Sequence, residues 1–320
     1  MSVMLLKSFI LCVLMSSKRK AILITGGLGQ IGYYLYEELK SQYDLCILDN
    51  KSSSKFEPPE DVIFIEGDII DGEVFSKLPE IDFVIHLAAQ ISIEKSTQSP
   101  LFDAKINVMG TLNVLDYALK QNVQKFVYIS SAAIFGHPES LPITEDHPRN
   151  PLSPYGLSKS VAEKYVKLFS ELYNLNTAIV IPFNLYSPIQ AEDDPYAGVI
   201  YKFIKQVKNG KPPVIQGKGD QSRDFVHVKD AAKAIKLVLE DVKGDVNVFN
   251  IGSGKSTTIN DLAKVIIEIS GKDLIPQYTE ARLGDIDHSY SSIDRAKREL
   301  NYNPVISLKE GLEELYLKLQ

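Results

Sequence analysis

Three glycines, Gly26, Gly29 and Gly32, stand where an apolar run at 20–25 passes into a helical pattern, and Asp49 closes the next apolar run at 45–48. Residues without a Cβ let backbone N–H groups approach a pyrophosphate at the positive end of the following helix. An acid seventeen residues past Gly32 can accept hydrogen bonds from an adenosine ribose, and its charge repels a 2′-phosphate, so the reading is NAD rather than NADP. A second set could move a proton. Tyr155 and Lys159 are four apart, on one face of a helix, and Ser130-Ser131 follow an apolar run at 125–129. A phenol with a pKa of ~10 needs a nearby cation to act as a base near neutrality, and Lys159 and an oxidised nicotinamide would both serve. Ser131 would then hydrogen-bond the reacting hydroxyl. Glycine turns also serve steric ends, and Tyr/Lys pairs occur on ordinary helices. The flanking strand, helix and acid give these their weight.

Such groups need a sheet to hold them. From Lys20 onward, β-rich runs at 21–25, 44–48, 62–66, 83–87, 126–130 and 177–181 alternate with helical patterns at 31–42, 104–122 and 155–173. That alternation predicts an α/β doubly wound parallel sheet, with ligands at its carboxyl edge, where Ser131 falls. Beyond Asn184, connections rich in proline and glycine begin a smaller C-terminal lobe. Residues 225–228 and 246–251 read as strands returning to the sheet, with a helix at 230–240 between them. The predicted organisation is an apolar extension at 1–17, a dinucleotide-binding domain at 18–184 with return strands in 225–251, and a substrate-binding lobe from 185–224 and 252–320.

Composition narrows the class. The chain has 320 residues, 44% hydrophobic and 24% charged, with a net charge of -6. It reads as a globular protein with no electrostatic reason to bind nucleic acid. Cys12 and Cys46 lie far apart in apolar runs, and no His/Cys/Asp/Glu grouping has ligand spacing, so neither a disulfide nor a metal site is expected, and a reducing cytoplasm fits. The segment 3–15 is interrupted by Lys7 and too short to span a bilayer. It reads as an extra N-terminal turn or an upstream start codon ahead of Met15, with peripheral membrane attachment as the alternative.

The chain also resembles a known family, the extended short-chain dehydrogenase/reductases, and within them the nucleotide-sugar epimerases of the UDP-glucose 4-epimerase type. The resemblance runs from Lys20 to Tyr316. Its blocks include 25–32, Gly67-Asp68-Ile69, His86-Leu87-Ala88-Ala89, Asn107-Val108-Met109-Gly110-Thr111, 130–136, Tyr155 with Lys159, 182–186, 223–228, 250–254 and Arg282-Leu283-Gly284-Asp285. It implies that Ser131, Tyr155 and Lys159 are catalytic. Gln30, Ile31, Asn50, Asp68, Ile69, Leu87, Ala88, Ala89 and Pro182 would join the glycines and Asp49 around NAD. Asn184, Arg223 and Arg282 would face the substrate diphosphate, and Asp285 the uridine ribose. Two arginines suit a pyrophosphate by bidentate, charge-assisted bonds, whereas a salt bridge to an aspartate is the plainer alternative. The family also implies a homodimer built on helices 104–122 and 155–173.

Within that family, dehydratases carry an Asp-Glu pair after the strand-five Ser or Thr, and related decarboxylases keep a glutamate. This chain has Ala132 and Ala133, which leaves reversible oxidation and reduction of one carbinol, hence epimerisation at C4 through a 4-keto sugar. A reductase or dehydrogenase of the same fold is the alternative, and a non-catalytic NAD-binding protein a third. Ser289 stands at the family's gate position, and its small size implies that UDP-GlcNAc/UDP-GalNAc are accepted beside UDP-glucose/UDP-galactose. Departures are Ile181 and Ile189 at usual arginines, Gln30 at a usual aromatic, and Phe135 at a usual tyrosine. His86 and His227 read as structural. Glu145, Asp146, Asp193 and Asp194 read as solvated loop charges.

Overall fold

Strands with apolar residues on both faces can hide their backbone only inside a sheet covered on both sides. The protein is described by a computed structural model covering residues 19–54, 56–189, 198–241, 247–281 and 284–319. Seven strands form one parallel sheet: β1 (Ala21–Thr25), β2 (Asp44–Asp49), β3 (Ile63–Glu66), β4 (Phe83–His86), β5 (Lys125–Ile129), β6 (Thr177–Pro182) and, near the end, Asn247–Ile251. From one edge the order is β3, β2, β1, β4, β5, β6 and then Asn247–Ile251. The order reverses between β1 and β4, the crevice where a doubly wound sheet binds ligands.

Alternation along the strands splits the core. Leu23, Leu48, Val84, Phe126 and Tyr128 pack with α4 (Thr111–Lys120) and α5 (Pro154–Tyr173) through Val114, Ala162 and Val166. Ile22, Ile24, Ile85, Val127 and Val180 pack on the other face against α1 (Gln30–Leu39) and α7 (Val228–Glu240), through Leu35, Leu39, Ile235 and Val238. Between β4 and α4 lie two short helices, α2 (Ile93–Gln98) and α3 (Pro100–Ala104).

A third core sits in the C-terminal part. It gathers α6 (Val199–Lys208), α8 (Ile259–Ser270) and α10 (Leu308–Lys318) around Ile204, Ile215, Leu262, Ile266, Leu312 and Leu315. A ninth helix, α9 (Asp294–Leu300), contributes Ala296 and Leu300 to the core of the main sheet instead.

Two expectations are corrected. Residues 225–228 do not rejoin the main sheet: Phe225–His227 pairs in parallel with Asn184–Tyr186 in a separate ribbon. Nor is 104–122 one regular helix. A wide i→i+5 turn, Lys105–Gly110, interrupts it. There Asn107 is buried and its side chain bonds to the backbone of Gln90, while a Cβ on Gly110 would come within 2.5 Å of Ile69 Cδ1. The inserted residue turns Asn107 and Gly110 inward, as such bulges do near functional sites.

Candidate active site

The glycine turn is shaped to receive a diphosphate. Gly26 has φ +67°, and a Cβ there would meet the Ala88 nitrogen at 2.6 Å, so the turn and the end of β4 touch through backbone alone. Gly29 caps α1 with little around its Cβ position except Gly26 O at 3.2 Å. At Gly32, a Cβ would strike Gly27 O at 2.1 Å, so the helix closes on its own loop. Ile31 is half-buried beside it. Asp49 ends β2 and accepts from the Leu28 and Lys51 N–H groups at 3.0 and 2.8 Å. Asn50 donates to Asp68 at 2.8 Å, and Ile69 is buried behind them. Leu87, Ala88 and Ala89 follow β4, the Ala88 N–H donating to Thr25 Oγ1 at 3.3 Å. Pro182 ends β6 on the same edge. This cradle fits NAD: bare backbone donors at a helix N-terminus, an acid for the ribose, and walls from β3, β4 and β6.

Tyr155 and Lys159 are both buried in the first turns of α5, which starts at Pro154 with Ser153 Oγ accepting from Gly156 N at 3.1 Å. Ser131 follows β5, within side-chain hydrogen-bonding reach of the Tyr155 phenol. Burial raises the phenol pKa and Ser131 lowers it. Lys159 Nζ donates to Ile129 O at 2.6 Å and lies 4.4 Å from the Tyr128 ring centre. Burial pulls it down to about 7, with Glu163 and Asp103 opposing. His86 bridges Thr25 Oγ1 (2.6 Å) and Thr111 Oγ1 (3.0 Å), and since Thr111 donates to Asn107 O, the imidazole carries its proton on Nε2. Burial, then the Lys159 charge, depresses it to about 3, so it stays neutral and structural.

On the substrate side, Asn184 Nδ2 donates to Asp224 O at 2.9 Å. Arg223 Nη2 donates to Asp285 Oδ1 at 2.7 Å. Ser289 is buried in register with Arg223. A cleft of about 360 Å³ adjoins them, lined by Gln216, Lys218, Gln221 and Asp285. Arg282 lies outside the described residues, as do Asp193, Asp194, Cys12 and the segment 1–17.

Other residues depart from their sequence reading. Glu145 is not a solvated charge: it is buried, accepts from Asn250 N at 3.1 Å, and burial raises its pKa. Asp146 is exposed, paired with Arg295 at 2.7 Å. Ile181 sits in the core, where an arginine would have no solvent. Phe135 is buried too, stacked on Phe183 beneath the Arg149 guanidinium. Gln30 donates to Ser187 at 2.8 Å, tying the glycine turn to the chain after Asn184–Tyr186. His227 caps α7 through Nδ1 and Lys229 N at 3.1 Å, a structural role.

Sequence reading missed Asp224. Fully buried, it accepts from Ser253 N and Oγ, Gly254 N, and Ser291 N and Oγ, at 2.5 to 3.1 Å. It thereby joins the loops that carry Arg223, Ser289 and the end of the sheet. Its place directly after Arg223 in a matched block was the available signal.

Comparison with known proteins agrees with this geometry. The model of the NAD dependent epimerase/dehydratase family matches residues 22–252. A putative UDP-glucose 4-epimerase of Methanocaldococcus jannaschii is 40% identical over 301 residues, spanning 91% of this chain and 96% of that protein. Among solved structures, UDP-glucose 4-epimerase of Thermotoga maritima with UDP-glucose has a TM-score of 0.88 at 36% identity, covering 93% of this chain and 98% of its own. UDP-N-acetylglucosamine 4-epimerase of Methanobrevibacter ruminantium M1 in complex with UDP-N-acetylmuramic acid has the same TM-score and identity, covering 94% and 98%. With a dinucleotide cradle at the switch point and a serine, tyrosine and lysine across from it, the chain belongs to the NAD dependent epimerase/dehydratase family and is an NAD-dependent epimerase.

Proposed function

We propose that this protein inverts C4 of a UDP-sugar, interconverting UDP-glucose and UDP-galactose and also accepting their N-acetylated counterparts. The observation that carries the reading is the buried Tyr155 phenol beside Ser131 at the carboxyl end of β5, with Ala132 and Ala133 where an eliminating enzyme needs acids. Held by the Gly26–Gly32 turn and Asp49, NAD would supply reversible hydride exchange with C4 of the sugar. Ser131 holds the C4 hydroxyl, and Tyr155 takes its proton as the carbonyl forms. After the sugar turns over, Tyr155 returns that proton to the 4-keto oxygen. Lys159 contributes positive charge beneath the phenol.

Residues 185–224 and 252–320 form the substrate-binding lobe in this reading. Arg223 and Arg282 grip the diphosphate with Asn184, and Asp285 takes the ribose. Arg223 gives Nη2 to Asp285 and Nη1 to Ser222 O and Asp287 O, which leaves its Nε–H and a second Nη2 hydrogen for the diphosphate. Ser289 leaves room for an acetamido group. The enzyme is a homodimer: Leu101, Met109, Leu157, Leu168 and Leu172 are exposed along α3, the wide turn and α5, an apolar face that a second copy would cover. Among the described residues, no helix is long and apolar enough to cross a membrane.

The test is incubation of purified protein with UDP-, GDP- and dTDP-sugars, without added dinucleotide, followed by NMR. A C4 epimer of the UDP-sugars is expected. Turnover only with external NAD(P)H would instead identify a reductase.

A further inference from the structure

Two buried carboxylates near Lys159 have no part in the proton transfer. Glu163, one turn along α5, has a cation of its own, with Arg149 Nε at 3.3 Å. Among the described residues, no ion pair is shown for Asp103 in α3. It is 1% exposed, its Oδ1 accepts from Gln90 Nε2 at 2.7 Å and Asn107 Nδ2 at 3.1 Å, and among the described residues its Oδ2 has no hydrogen-bond partner. A carboxylate so enclosed, with amide donors alone, is strongly disfavoured unless a positive charge offsets it. Lys159 is the complementary case, a buried ammonium whose direct contacts are a carbonyl and a ring face. Asn107 Nδ2 shares its two hydrogens among Asp103 Oδ1, Gln90 O at 3.0 Å and Ser158 Oγ at 3.1 Å, and Ser158 Oγ donates to Tyr155 O at 3.0 Å, so polar contacts run from Asp103 into the first turn of α5.

We propose that Asp103 is a positioning residue for the reaction: it is the counter-charge of the Lys159 ammonium and, through Asn107 and Ser158, it steadies the turn that carries Tyr155. This inference rests on the reading of Tyr155 and Lys159 as the reacting pair.

The groups shown around Lys159 are His86 from β4, Tyr128 from β5, Asp103 from α3 and Glu163 from its own helix. Near neutrality His86 is uncharged, since its pKa is depressed to about 3. Glu163 and Asp103 both favour the charged lysine against burial, and Asp103 also favours the neutral phenol. Removing the Asp103 charge therefore moves both groups the same way, toward lower pH.

The test is Asp103→Asn in the full chain, which keeps the Oδ1 acceptor and the side-chain size. Lysines are labelled with 13C at Cε, and the Lys159 resonance is assigned by Lys159→Met. The Lys159 midpoint is expected to fall by about one pH unit or more. Both limbs of the kcat/KM profile against pH should move down together, whereas a purely structural defect lowers the plateau and leaves the limbs in place. A folded variant with an unmoved Lys159 midpoint overturns the inference. Should Asp103→Asn fold poorly, the double variant Asp103→Asn/Lys159→Met decides. Its unfolding midpoint should fall by less than the sum of the single losses, and additive losses or a double variant that does not fold overturn the proposal. Because the titration needs no turnover, a protein without epimerase activity would remove the functional reading and leave this result interpretable.

Discussion

Tyr155 is enclosed, and burial works against its ionisation while Ser131 works for it. Its oxygen is the atom the proposed reaction depends on, because no acid occupies 132 or 133. Tyr155→Phe keeps the ring and its packing but removes the proton acceptor. Turnover should fall by about 10²–10⁴-fold, while co-purifying NAD, measured after denaturation by its absorbance, stays bound. Loss of the dinucleotide together with activity would mean that Tyr155 is part of the cradle instead. Ser289 makes a narrower claim. It is buried in register with Arg223, and in the proposed reading a larger side chain there would enter the sugar's space. Ser289→Tyr should cost the N-acetylated pair at least ~10-fold more in kcat/KM than the unsubstituted pair, since bulk against an acetamido group is a difference of a few kcal/mol at most. Equal losses for both pairs remove the gate.

At the scale of elements, the β1 turn matters most. Gly26 combines a positive φ with a backbone contact to Ala88, so Gly26→Ala forces apart the turn and the end of β4, the two walls of the cofactor cradle. Bound NAD should be lost on purification, with the fold retained by circular dichroism. A variant that keeps its dinucleotide would show that the turn tolerates the shift. The wide turn at Lys105–Gly110 makes a related point. Periodicity alone reads 104–122 as one helix, because an inserted residue leaves the pattern of apolar positions nearly intact. What breaks the regular ladder is the side-chain chemistry of Asn107 and the closeness of Gly110 to Ile69.

At the scale of the molecule, the exposed leucines on α3 and α5 stand out against an otherwise well-filled core. Leu101 is 85% exposed and Leu172 is 61% exposed, on the helices proposed to meet a second copy. Replacing both with aspartate should convert a sedimenting dimer to a monomer at micromolar concentration, since two charges would have to be desolvated in the interface. A wild-type monomer in the same run would dismiss the apolar face as an interface.

Local pattern determined a large part of this protein. Alternating apolar runs and helical periodicity fixed the parallel sheet, because a strand buried on both faces must be apolar throughout. The glycine turn, Asp49, Ser131, Tyr155 and Lys159 stood out in the sequence for a related reason: the chemistry proposed for them depends on short spacings around strand-to-helix turns. Tertiary structure alone decided the rest. Phe225–His227 went to a ribbon with Asn184–Tyr186 instead of the main sheet, a pairing between segments distant in sequence. Glu145 became a buried partner of Asn250, 105 residues on, Lys159 turned to Ile129, and Asp224 gathered three loops. Each outcome depends on contacts between distant segments, and a sequence holds only the spacings within each segment, so pairing, burial and charge balance across the site exist only once the chain has closed on itself.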